Sequence, residues 1–195
     1  MRHTSVEASL IIIVVAVLST LSFQRNALWK DELTLWQDSF RKSPLKARVA
    51  FNLANGYNEK GDLRKAERLY KYTIRLKPQF AEAHYNLATI YDATGRLEAA
   101  VEEYTHAIEL MPEFAEAYNN LGFIYYRQGF TDRAIALYSK ALGLRPHSAH
   151  IRYNLALAYI KKGLKEEAIR ELEMALTFNP PDPEVKELLN GLLTE

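Results

Sequence analysis

Histidine titrates near neutral pH and is the commonest protein ligand for metals, and the chain has five: His3, His84, His106, His147 and His150. No two of them stand four apart with a glutamate between, the helical spacing that gives a zinc hydrolase two imidazoles and a general base on one face. His147 and His150 share a helix start without a third placed ligand, so all five read as surface histidines and no metal is expected. The acidic pairs Glu102-Glu103 and Glu166-Glu167 fall on helical stretches and read as solvated faces rather than as paired glycosidase carboxylates, with Glu103 pointing outward. Cysteine is absent, which removes disulfides, thiolate metal sites and a thiol nucleophile. The recurring glycines, Gly61, Gly95, Gly129 and Gly163, are spread one per turn, with no phosphate-cradling cluster. Lys and Arg (25) are interspersed with Asp and Glu (24) at a net charge of +1, so no basic stripe for nucleic acid forms. These residues predict no enzyme, no catalytic residue and no cofactor.

The elements that position these side chains follow a beat of 34 residues. Leu53, Leu87, Leu121 and Leu155 keep it, and so do Tyr57, Tyr91, Tyr125 and Tyr159. Gly61, Gly95, Gly129 and Gly163 keep it too, as do Ala66, Ala100, Ala134 and Ala168, and Pro78, Pro112, Pro146 and Pro180. Leu53, Ala54 and Tyr57 make the inward stripe of a first helix that Gly61 stops, because glycine takes the left-handed cap conformation. Ala66, Tyr70 and Thr73 make the stripe of a second helix that ends before Pro78. Small residues (Ala54, Ala88, Gly122 and Ala156 on first helices, the alanine beat on second helices) let backbones approach, and the tyrosines, Tyr125 among them, fill the space. One such pair has no core of its own, so stability must come from stacking.

This pattern resembles the tetratricopeptide repeat family in period and in its small/large order. The resemblance implies an all-α, right-handed superhelical solenoid of helix pairs, with full units at 47–80, 81–114, 115–148 and 149–182. Residues 28–46 read as the second helix of an incomplete preceding repeat, with Asp31 as its cap and Leu33, Trp36 and Phe40 on its apolar face. Residues 183–195 read as a capping helix with Asp182 as N-cap and Val185, Leu188, Leu189 and Leu192 facing inward.

Ahead of the repeats, within an N-terminal segment 1–27, Ala8 to Phe23 form 16 residues without a charge, expected as a single hydrophobic helix. Such a run reads first as a transmembrane anchor; a cleaved signal peptide and a buried helix are the alternatives. Trp29 would then lie near the membrane interface. Arg25, Asn26, Trp29, Asp31, Glu32 and Trp36 also resemble the junction where membrane glycosyltransferase-like proteins pass from their spans into tetratricopeptide repeats. That resemblance transfers no catalytic residue, and it favours an extracytoplasmic repeat domain, although the flanking cations Arg25, Lys30, Arg41 and Lys42 favour the cytoplasmic side. The expectation is a single-pass membrane scaffold for protein partners, or alternatively an accessory repeat domain of a glycosyltransferase system.

In the family first helices line a groove, and here they carry a recurrent asparagine: Asn52, Asn86, Asn120 and Asn154. The row is similar to the asparagine ladder with which the O-linked N-acetylglucosamine transferase repeats hold a peptide backbone. The same asparagines also suit bonds to a neighbouring helix, and both readings stay open. Phe51, Tyr85, Phe123, Tyr126, Arg127 and Tyr153 join them as candidate groove residues. The carboxylate clamp of chaperone adaptors is not matched, because Phe51, Glu116 and Asn120 stand where it needs cations. The expected partner is therefore an extended, partly apolar peptide.

Overall fold

The computed structural model describes residues 13–20, 22, 32–179 and 182–194, which are helical with short turns and contain no strand. The chain divides into two compact units, Met1–Leu76 and Lys77–Glu195.

In the first unit, α1 (Glu32–Lys42) packs beside α2 (Ala47–Glu59), which is followed by α3 (Leu63–Leu76). The approach of α1 to α2 is close, since a Cβ on Gly56 would sit 3.0 Å from Leu33 Cδ1. Phe40 meets Tyr72 edge-on at 5.8 Å, and Gln37 donates to the Tyr57 hydroxyl at 3.0 Å. Trp36, in register with Tyr70, is only half-buried, and its indole N–H donates to Glu32. Tyr70 itself is fully buried.

The second unit contains α4 (Ala81–Ala93), α5 (Leu97–Leu110), α6 (Ala115–Arg127), α7 (Thr131–Leu144), α8 (Ala149–Lys162), α9 (Lys165–Phe178) and α10 (Pro183–Thr194). Each helix packs chiefly on its sequence neighbours, as in an α-solenoid. The turns explain the beat. Gly95, Gly129 and Gly163 have φ of +75°, +86° and +79°. That left-handed conformation lets the next residue donate back to the tyrosine carbonyl: Arg96 to Tyr91, Phe130 to Tyr125 and Leu164 to Tyr159, at 2.8 to 2.9 Å. The Tyr-to-Gly spacing of four thus closes each first helix.

The fully buried rings are those of the second helices, Tyr70, Tyr104 and Tyr138. Burial of such a side chain stabilises by roughly 1.5 to 3 kcal/mol. Tyr125, expected in the core, is only partly covered, because it sits at the helix end where its ring meets Phe130 at 6.0 Å. Ala134 and Tyr138 of α7 share a core with Leu155 and Ala158 of α8, which joins consecutive repeats. Val185, Leu189 and Leu192 of α10 close the last core over Ala156, Ala168, Leu172 and Ala175. Asp182 caps α10, its Oδ1 accepting from the N–H groups of Glu184 and Val185 at 3.1 and 3.2 Å.

The expected membrane anchor is corrected. Within the apolar run residues 13–20 and 22 are described, and they are helical. Among the described residues no helix is long and apolar enough to cross a membrane, so a single-pass membrane protein, its sidedness and a membrane partner are not supported. The rest of the run, apart from residue 22, and the junction residues Arg25, Asn26, Trp29 and Asp31 lie outside the described residues.

Candidate interaction surface

The first helices of the second unit are joined by hydrogen bonds that share one separation. Asn120 Nδ2 donates to the Tyr85 hydroxyl (3.1 Å), Arg127 to Asp92 (3.0 Å), Asn154 Nδ2 to Asn119 Oδ1 (2.9 Å) and Lys161 Nζ to the Tyr126 carbonyl (2.9 Å). All four span 35 residues, one beat plus one. That extra residue moves the partner around the helix toward its predecessor in the next pair. Asn120 also donates to the Tyr104 hydroxyl at 3.3 Å, and its Oδ1 accepts from Asn119. Burial pushes the Tyr104 phenol far above its ordinary pKa, with the Asn120 bond opposing. Burial also raises Tyr85, again against the bond from Asn120.

These bonds locate the expected groove residues. The amide N–H groups of Asn120 and Asn154 serve the helix packing, and Asn154 is buried, with His150 Nε2 as a second neighbour at 3.3 Å. Asn86 is half-buried, and its carbonyl accepts from Thr89. In the first unit Asn52 is half-buried, while Phe51 is a core residue, 7% exposed and 5.9 Å from the Tyr70 ring. Phe51 is therefore corrected from groove lining to packing. Its neighbour Asn55, not Asn52, accepts from the Tyr70 hydroxyl at 2.7 Å.

Apart from the asparagines, the accessible residues among those expected in the groove of the second unit are aromatic and cationic. Phe123 is exposed, Tyr85, Tyr126 and Tyr153 are half-buried, and Arg127 and Lys161 lie over the rings of Phe123 and Tyr126 at 5.7 and 4.6 Å. Tyr153 also borders a cleft of about 580 Å³ between α8 and α10, walled by Ile160, Leu188 and Leu192 and edged by Glu184 and Glu187. Burial and the nearby Glu184 and Asp182 carboxylates raise the Tyr153 pKa.

A second constellation lies between α4 and α5. His84 is buried rather than on the surface, its Nδ1 is 2.6 Å from Glu103 Oε2, and its Nε2 is 2.9 Å from the Pro78 carbonyl. Burial lowers the His84 pKa, but the bonds to Glu103 and to Pro78 outweigh it and the net shift is upward. Glu103 is thereby corrected from a solvated face to a partner of a buried histidine. The His106 ring stands edge-on to His84 at 5.4 Å, and its Nδ1 is buried without a hydrogen-bond partner. A search for ligand pairs within one helix misses this group, because His84 comes from one helix while Glu103 and His106 are three apart on the next.

Comparison with known proteins agrees with this architecture. Models described as tetratricopeptide repeat match residues 69–102 and 125–192, and one described as TPR repeat matches 90–129. The chain is a tetratricopeptide repeat protein. It is similar to the crystal structure of MamA, with a TM-score of 0.70 and 27% identity over 76% of this chain and 87% of that one. PilF of Pseudomonas aeruginosa gives a TM-score of 0.69 and 25% identity over 76% of this chain and 68% of that one. YrrB, a tetratricopeptide protein with an unusual peptide-binding site, shares the fold at a TM-score of 0.65 and 20% identity, over 87% of this chain and 84% of that one. No curated protein matches the chain. None of the three family matches indicates an enzymatic family.

Proposed function

We propose that the chain is a scaffold that binds protein partners, and that residues 77–195 hold an extended, partly apolar peptide along their first helices. The observation that carries this reading is the aromatic and cationic row of Tyr85, Phe123, Tyr126, Arg127 and Tyr153, left accessible while Asn120 and Asn154 lock the helices beneath it. Rigid rings supply contact area at low entropic loss, and the cations add attraction to backbone carbonyls and carboxylates. The asparagines act in this reading mainly by holding the surface in shape. YrrB lends support through its fold alone.

The test is a peptide-display selection on the purified chain, followed by affinity measurement for a selected peptide. Phe123→Ala with Tyr126→Ala should weaken binding about tenfold or more, as removal of central aromatic anchors does. A dissociation constant unchanged in a folded double variant refutes the placement.

A further inference from the structure

We propose that His84, Glu103 and His106 form a binding site for a single divalent transition-metal ion of the zinc type. One donor atom from each residue lies within 4.8 Å of the other two. Two imidazole nitrogens and one carboxylate oxygen are a zinc donor set, whereas calcium and magnesium call for more oxygen ligands than this place offers. With bonds of about 2.0 to 2.1 Å, tetrahedral donors stand about 3.3 Å apart, so small side-chain rotations suffice to close the site. The surrounding geometry is that of a metal-ligating histidine. His84 Nε2–H donates to the Pro78 carbonyl, which fixes the tautomer and leaves the Nδ1 lone pair aimed at Glu103. Two electron-rich atoms at 2.6 Å need a cation between them. A proton fills that role in the metal-free protein, and an incoming ion releases it.

The fourth repeat supplies the internal comparison. Arg152 stands where His84 stands, 68 residues on, and it bonds Glu171 and the Pro146 carbonyl as His84 bonds Glu103 and the Pro78 carbonyl. There the guanidinium makes an ion pair through Nη1 and a carbonyl bond through Nη2, with its Nε buried and unpartnered. The second repeat departs from it twice: an imidazole replaces the guanidinium, and His106 occupies the place of Met174. An ion pair alone has no use for His106, whose buried Nδ1 lacks a partner. A metal site uses both changes. Held by α4 and α5 together, the ion would fasten the two helices of one repeat, with its fourth position left to water or a partner's side chain.

The test titrates zinc chloride into the full, chelator-stripped chain, followed by calorimetry and thermal melting. One ion per chain and a rise in melting temperature are expected. His106→Ala should weaken binding by more than the roughly 10-fold to 100-fold that loss of a supporting residue causes. His84→Arg rebuilds the arrangement of the fourth repeat, so it should keep the fold and lose the ion. His150→Ala should bind as the parent does. The proposal is overturned if the parent shows no saturable site, or if folded His106→Ala and His84→Arg variants keep the parent's affinity and melting shift.

Discussion

Gly122 and Gly143 look alike in sequence, but their surroundings predict opposite responses to alanine. Gly122 lies mid-helix in α6, where a Cβ would meet Tyr138 Cε1 at 3.0 Å, Tyr138 Cδ1 at 3.1 Å and Leu137 Cβ at 3.3 Å. Tyr138 is fully buried, so its ring has nowhere to retreat. Overpacking costs about 1 to 3 kcal/mol, and the helix-propensity gain of glycine to alanine returns about 1 kcal/mol. Gly122→Ala should therefore lose up to about 2 kcal/mol. Gly143, exposed near the end of α7, has no atom within 4 Å of a built Cβ, so Gly143→Ala should gain up to about 1 kcal/mol. Urea denaturation of both variants beside the parent measures the difference. A Gly122→Ala protein more stable than Gly143→Ala would refute the close approach of α6 to the Tyr138 ring.

Tyr138→Ala should cost about 3 to 5 kcal/mol in the same assay, and Tyr125→Ala clearly less, since only the former ring is fully buried. Burial raises the pKa of both Tyr104 and Tyr138, so their contribution is complete below the unfolded value of about 10 and is lost as pH rises beyond it. Stability should then fall by up to about 1.4 kcal/mol per pH unit for each ring, and the double Tyr→Phe variant should flatten that slope in denaturant titrations at alkaline pH. Asp182→Ala removes the cap of α10 and should cost about 1 kcal/mol, seen first as lost amide-exchange protection in that helix.

The helix pairs were legible because each mark of the beat has a local cause. A left-handed glycine, a tyrosine carbonyl five residues before the returning N–H and a proline after the second helix act within a single turn. The site was less legible because its bonds run between turns. A 34-residue comparison aligns Asn120 with Asn86 and Asn154, but Asn120 bonds Tyr85 and Asn154 bonds Asn119, one residue off the beat. Reading the sequence at 35 would have paired them. The tyrosines of first and second helices share a residue type, so periodicity could not rank Tyr138 above Tyr125.

The bonds spanning 35 residues also bear on how residues 77–195 fold and yield to force. Each ties a helix to the next but one, so no partner has to be found from far along the chain, and low contact order of this kind favours fast folding. Structure can then nucleate at any pair and grow outward, with neighbours supplying most of the stability. Under tension such an array should peel one pair at a time from an end rather than rupture in a single event. Between Asp92–Arg127 and Tyr126–Lys161, α6 is held on both sides, and it should be the last first helix of this region to let go.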